Sequence, residues 1–338
     1  MRQTIAPRRG ICCFWNSPRK GASMLRHSSV NIEERNYSKE MIESISTRWP
    51  FEAEVMRFNE VSACSFNMHV PDFIPEMVPF SIFDEWRVLE PQDQSDLLSA
   101  GWIIYQSNTI FIETDLVTPA CIEVIRSRQD NSVGPEMARS MAEAMTDEGY
   151  HTLLAVLTCD AVRANRQLPL FPTDFHLVSV MSTYINGLDC EWKRRVARIA
   201  TACCTENHIT DYLDLLANAS SIQPMFLAAV NAHAKDEWNH GSQFAVLARD
   251  IYWALSSEGQ KVFKDTVELV AKNFFRADLN AWITVIDQLD RPSLADVRTA
   301  IINNSVELQR AVEFTNNNRG LMKLYENLEW EWAGYESR

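Results

Sequence analysis

From residue 32 onward the chain alternates apolar and polar positions with the three-to-four-residue rhythm of amphipathic helices, punctuated by proline and glycine. Residues 33–48 read as a polar-faced helix that ends before Pro50, and 51–90, with Pro71, Pro75 and Pro79, as loop with short helices. A long helix is predicted over about 92–128, perturbed near Pro119, and Pro135 sits at the first-turn position of another over about 136–164. Residues 165–175 form a connection. Helices then follow at about 176–185, 189–218, 222–254, 256–274, 278–289, 293–317 and 319–332, with Pro292 and Ser293 marking a helix start. No period-two alternation is long enough to require a sheet, so the expected class is all-α, a helical bundle with additional C-terminal helices.

Composition supports this reading. Only 10 Gly and 13 Pro in 338 residues argue against a loop-rich β architecture, and the length is ample for a large core. The first 32 residues contain no Asp or Glu but carry Arg2, Arg8, Arg9, Arg19, Lys20 and Arg26, and they lack an apolar secretion segment. We expect a disordered basic extension there, to which no function is assigned, and a single domain over 33–338 with its functional bundle at about 92–254.

A net charge of −13 argues against nucleic acid as a partner, because phosphate binding needs a basic face. No apolar run approaches the roughly 20 residues that span a bilayer. The eight cysteines, at 12, 13, 64, 121, 159, 190, 203 and 204, contain no CxxC pair, which fits reduced, mostly buried thiols in a cytoplasmic protein. GxGxxG and GxxxxGK[ST] are both absent, so no nicotinamide, flavin or ATP fingerprint is present.

Chemistry concentrates in two matching pentapeptides, Asp147-Glu148-Gly149-Tyr150-His151 and Asp236-Glu237-Trp238-Asn239-His240, both DExxH. On a helix, Glu and His three apart differ by about 300° of rotation and so share a face about one turn apart. Two Glu-x-x-His helices plus a Glu from each of two others form the ligand pattern of ferritin-like di-iron or di-manganese proteins. That pattern asks for a Glu on the helix before each DExxH. Glu113 lies 35 residues before Glu148 and Glu206 lies 31 before Glu237, near-equal separations that suggest two facing helix hairpins. Glu113 sits among apolar helical positions, where an unpaired carboxylate is costly to bury and a metal partner explains it.

Two competitors are present. Glu191 is 15 residues before Glu206, which returns almost to the same face, and the choice between them stays open, with Glu206 preferred on spacing. Glu123 competes with Glu113, but Pro119 interrupts the helix between them. Asp147 and Asp236 are placed to accept the second N–H of a ligating histidine. His233 adds a further donor: Glu237 and His240 lie at about +40° and −20° from it, so HxxxExxH presents three donors in one narrow arc. Three of the seven histidines fall in this constellation.

Taken together, Glu113, Glu148-x-x-His151, Glu206 and His233-x-x-x-Glu237-x-x-His240 are similar to the ligand set of the ferritin-like arylamine N-oxygenases, with the third histidine as the distinguishing mark. The match spans about 92–254. The resemblance implies two Fe ions held by these seven residues, with O2 as co-substrate. It also implies a peroxo di-iron species that oxidises a small-molecule amine, either an arylamine or an amino-acid-derived amine, to a hydroxylamine, nitroso or nitro product in specialised metabolism. An external electron donor and a homodimer are further expectations. A carboxylate-rich, imidazole-capped site suits iron in two oxidation states, with the protein supplying orientation and a dry pocket. Tyr105, eight residues before Glu113, and Asn108 are candidate pocket residues, and the sequence shows no basic cluster for a substrate carboxylate.

Other readings of the site are a C–H hydroxylase, a desaturase or a carbon–carbon-cleaving oxygenase on the same fold, and an iron-storage or structural metal site. A zinc hydrolase is disfavoured because HExxH is absent and four carboxylates exceed what a catalytic zinc takes.

Overall fold

A computed structural model of the chain describes residues 32–57, 65–130, 133–219, 221–308 and 319–330. The expected N-terminal extension therefore lies outside the described residues, as do Cys12, Cys13 and Cys64. Among the described residues there is no strand, and the fold is all-α. The main helices are α1 (Ile32–Glu52), α2 (Pro91–Phe111), α3 (Thr118–Ser127), α4 (Pro135–Arg166), α5 (His176–Gly187), α6 (Glu191–Ala217), α7 (Pro224–Ala254), α8 (Ser257–Asn273), α9 (Leu279–Leu289), α10 (Ala295–Asn303) and α11 (Arg319–Asn327). The described residues contain no helix long and apolar enough to cross a membrane.

Local chemistry sets most of the boundaries. Pro91, Pro135 and Pro224 occupy first-turn positions, where a missing N–H leaves no bond unmade. Ser256 caps α8 by accepting from the Gly259 amide at 3.3 Å. α4 runs on to Arg166, past its expected end at 164, and stops where Gln167 turns left-handed at φ 57°.

Two boundaries differ from expectation for identifiable reasons. α1 does not end before Pro50 but carries it inside the helix. Proline cannot bond the carbonyl four residues back, and that carbonyl, Ser46 O, instead accepts from Arg139 Nη2 at 3.3 Å. The expected single helix over 92–128 is divided by a π-helical turn at Ile112–Val117, where the Thr118 amide reaches back five residues to Glu113 O. The distortion thus precedes Pro119 rather than centring on it. In the C-terminal region, 293–317 resolves into a 3-10 turn at Pro292–Leu294 followed by α10, while 309–318 lies outside the described residues.

The packing forms two hairpins, α2–α3 with α4 and α6 with α7, joined face to face through α4 against α7 and α3 against α6. α1 covers α4, α8 and α11 pack on α6, and α9 lies against α2. The core has two large apolar halves and a small third cluster of Tyr150, Leu154, Ala229 and Ala232. One half holds Leu116, Val117, Met141, Val196, Ala200, Phe244 and Phe263, the other Leu97, Trp102, Ile103, Leu213, Phe226 and Trp282. Glu148 and His151 on α4, Glu206 on α6, and His233, Glu237 and His240 on α7 fall between these halves, while Glu113 stands at the edge of the first, beside Ile112 and Leu116. A loop closes one end: Arg166 donates to Asp72 Oδ1 and Oδ2 and to the Met68 and Val70 carbonyls, and Gln223 Nε2 donates to Asn67 O and Val70 O. This clamp delivers Phe73 against α2, where a Cβ on Gly101 would stand 2.6 Å from its ring.

Candidate metal centre

Four helical segments converge on one point. The π turn supplies Glu113, α4 supplies Glu148 and His151, α6 supplies Glu206, and α7 supplies His233, Glu237 and His240. All seven are buried, with His233 the most accessible at 6%. Their donor atoms form overlapping groups, Glu113–His151–His233–Glu237, Glu148–His151–Glu237–His240 and Glu113–Glu148–Glu206, within each of which the atoms lie within 4.8 Å of one another.

The histidine geometry gives each ring a direction. His151 Nδ1 lies 2.8 Å from Glu148 Oε2 and 3.5 Å from Glu237 Oε1, and His240 Nδ1 lies 3.1 Å from Glu148 Oε1 and 3.2 Å from Glu237 Oε1. Their opposite nitrogens face aspartates in a crossed arrangement. His151 on α4 places Nε2 3.2 Å from Asp236 Oδ2 on α7, and His240 on α7 places Nε2 3.3 Å from Asp147 Oδ2 on α4. With Nε2–H donating outward, each Nδ1 lone pair faces the cluster. His233 approaches through Nε2, 3.3 Å from Glu237 Oε1 and 3.6 Å from Glu113 Oε1, its ring stacked on His151 at 4.0 Å. The aspartates are themselves held: Trp49 Nε1 donates to Asp147 Oδ2 at 2.8 Å and the Glu54 amide to Asp236 Oδ1 at 3.1 Å. Trp49 and Glu54 carry no sequence signal, because they reach the site from α1 and the turn after it, far outside the DExxH spacing.

The donor set fits a metal pair. Glu113 Oε2 and Glu237 Oε2 are buried without a hydrogen-bond partner among the described residues, while Glu148 Oε1 and Glu206 Oε2 stand 3.1 and 3.5 Å from the single nitrogen His240 Nδ1. Such groups cost free energy unless something satisfies them. Burial, and then the neighbouring carboxylates, push Glu113 and Glu206 well above the usual carboxylate range. Against the opposing effect of burial, Asp236 and Glu148 raise His151 to about 10. Burial and the adjacent His151 hold His233 below its ordinary value. Two divalent cations among these atoms would complete the unpaired oxygens and offset the repulsion of the carboxylates, and hard oxygen with imidazole donors suits iron or manganese.

The two competing glutamates lie elsewhere. Glu191 is at the first turn of α6, where it receives Arg198 Nη1 at 2.8 Å. It shares a face with Glu206 but stands about 22 Å away along the axis. Glu123 pairs with Arg195 at 2.9 Å and Arg198 at 3.1 Å. Tyr105 and Asn108 both line a cavity beside the cluster, together with Thr109, Ile112, Ile209 and Phe73. Thr109 stands one turn before Glu113 and Ile209 one turn after Glu206, so the cavity adjoins the segments that carry these two glutamates, although none of the seven donors lines it. A second cavity, of about 300 Å³, reaches Glu206 and Glu237 from the outer side of α6 and α7.

Comparison with known proteins agrees with this geometry. The family described as p-aminobenzoate N-oxygenase AurF matches residues 40–328. A 4-aminobenzoate N-oxygenase from Streptomyces thioluteus is 25% identical over 254 residues, which cover 74% of this chain and 76% of the relative.

Proposed function

The chain belongs to the p-aminobenzoate N-oxygenase family, and from that membership we propose that it is a di-iron, O2-dependent enzyme that oxidises the amine of a small molecule. Glu113, Glu148, Glu206 and Glu237 would hold two irons as carboxylate ligands, with His151 and His240 through Nδ1 and His233 through Nε2. Bound there, the iron pair supplies the reducing power and Lewis acidity that let O2 deliver one oxygen atom to nitrogen. The balance for one step is amine, O2, two electrons and two protons giving hydroxylamine and water; further turnovers lead to nitroso and nitro products. An external donor provides the electrons, consistent with a sequence that lacks nicotinamide and flavin fingerprints.

The chain's own residues orient and exclude. Asp147 and Asp236 fix the histidine tautomers, and Trp49 and the Glu54 amide fix the aspartates. The cavity walls Phe73, Ile104, Ile112 and Ile209 keep water from the reacting face and favour a flat apolar body. The observation that carries the reading is the burial of four carboxylates and three imidazoles around one point, with oxygens of Glu113 and Glu237 left unpartnered.

The test is metal analysis joined to an oxygen reaction. Purified protein is expected to bind two irons per chain, and its reduced form to develop visible absorbance on exposure to O2 and convert an arylamine to N-oxygenated product. A mineral core, or oxidation of an alkyl chain with no amine product, overturns the proposal. His233→Ala should change both the absorbance and the product yield; if neither changes, His233 is not a ligand.

A further inference from the structure

The cavity beside the cluster has a polar end that the chemistry at the metals does not use. Asn108 lies five residues before Glu113, about 7 Å back along the helix axis. There Asn108 Nδ2 donates to Asp278 Oδ2 at 3.2 Å, leaving Asn108 Oδ1 buried without a partner. Asp278 Oδ1 accepts from the His176 amide at 2.7 Å, so the carboxyl is fixed on two sides while its remaining lone pairs stay available. Two residues earlier, Arg276 joins the same lining, with Nε buried and without a partner. Among the described residues no carboxylate pairs with Arg276. One end of the cavity therefore offers two acceptors and, on the same segment, a cationic donor.

We propose, on the premise that the chain is an amine N-oxygenase, that this cavity selects a substrate whose end remote from the reacting amine is an amino-acid head group, with its ammonium against Asp278 and Asn108 and its carboxylate against Arg276. A head group carrying only a carboxylate leaves Asn108 Oδ1 unpaired and sets negative charge beside Asp278. One carrying only an ammonium leaves Arg276 Nε unpaired. The zwitterion satisfies all three groups at once, and unsatisfied buried partners are what make such sites discriminate. Burial lifts the Asp278 carboxyl to about 7, so an adjacent ammonium would draw it into the charged form.

Three matched arylamines test this with the iron-loaded protein: 4-aminophenylalanine, 3-(4-aminophenyl)propanoate, which lacks the ammonium, and 2-(4-aminophenyl)ethylamine, which lacks the carboxylate. N-oxygenation is followed as kcat/KM and binding by calorimetry. The zwitterion should exceed both analogues by at least about tenfold, the scale of a charge-assisted hydrogen bond. Asp278→Asn should erase the advantage over the propanoate, and Arg276→Gln the advantage over the ethylamine. Because Asp278 also holds the His176 amide, Asn108→Leu gives a second reading of the ammonium subsite should Asp278→Asn fail to fold. Equal use of either one-charge analogue, or a ranking that the variants leave unchanged, overturns the head-group proposal while leaving the activity intact. Binding that follows the predicted ranking without any N-oxygenated product retains the head group and overturns the N-oxygenase premise.

Discussion

At the scale of single residues, the crossed Asp–His pairs are the feature with the sharpest consequence. Each DExxH supplies its own Glu and His inward, but its Asp serves the histidine of the other helix, so neither half-site is oriented without its partner. Asp236→Ala should free His151 Nε2 and the Glu54 amide together and weaken iron binding by about 10–100-fold, measured by competition against a chelator. An affinity unchanged from the parent would show that the aspartates orient nothing. Six of the seven inward residues were legible because helical spacing places them on common faces. Glu206 and Glu191 were not separable on that basis, since rotation repeats along a helix while axial level does not. Trp49, Arg276 and Asp278 escaped reading because each meets the site from an element whose docking no local spacing records. His208 is a counter-example to reading every buried histidine as functional. Both its ring nitrogens are unpartnered, it stacks on Phe274 at 5.0 Å, and burial lowers it to about 3, leaving it neutral and apolar in effect.

At the scale of elements, the two irregular helices show how a local cost is met from elsewhere. Pro50 deprives the Ser46 carbonyl of its helical partner, and Arg139 from α4 replaces it, so the proline bends no boundary. The π turn at Ile112–Val117 carries Glu113, and the wider winding resets the rotation of everything after it. Pattern reading placed a disturbance near Pro119 but could not locate the turn, because a π turn differs from an α turn by a single reach of one amide. α11 depends on close approach: a Cβ on Gly320 would stand 1.6 Å from Asn207 O. Gly320→Ala should therefore push α11 away from α6 and cost about 1–3 kcal/mol, read by denaturant unfolding and by faster hydrogen exchange along α11. Unaltered exchange and stability would mean that α11 is not seated there.

At the scale of the molecule, a charged layer lies between two apolar half-cores, and its burial is tolerable only if the charges are compensated. Metal binding should then be part of the fold's stability. Free ferrous or manganous ion at a hundredfold over its dissociation constant would add about 2.7 kcal/mol, seen as a metal-dependent rise in Tm that chelation reverses. A Tm indifferent to metal would count against the centre as a whole.

The sequence by itself determined the helical class, the order of the two hairpins and six of the seven converging donors, because these follow from periodicity and spacing along one chain. Only the tertiary structure decided which glutamate stands level with the cluster, how the aspartates cross between helices, and which groups line the far end of the cavity. Those depend on where separate elements dock, and docking is set by packing across the whole core rather than by any local run of residues.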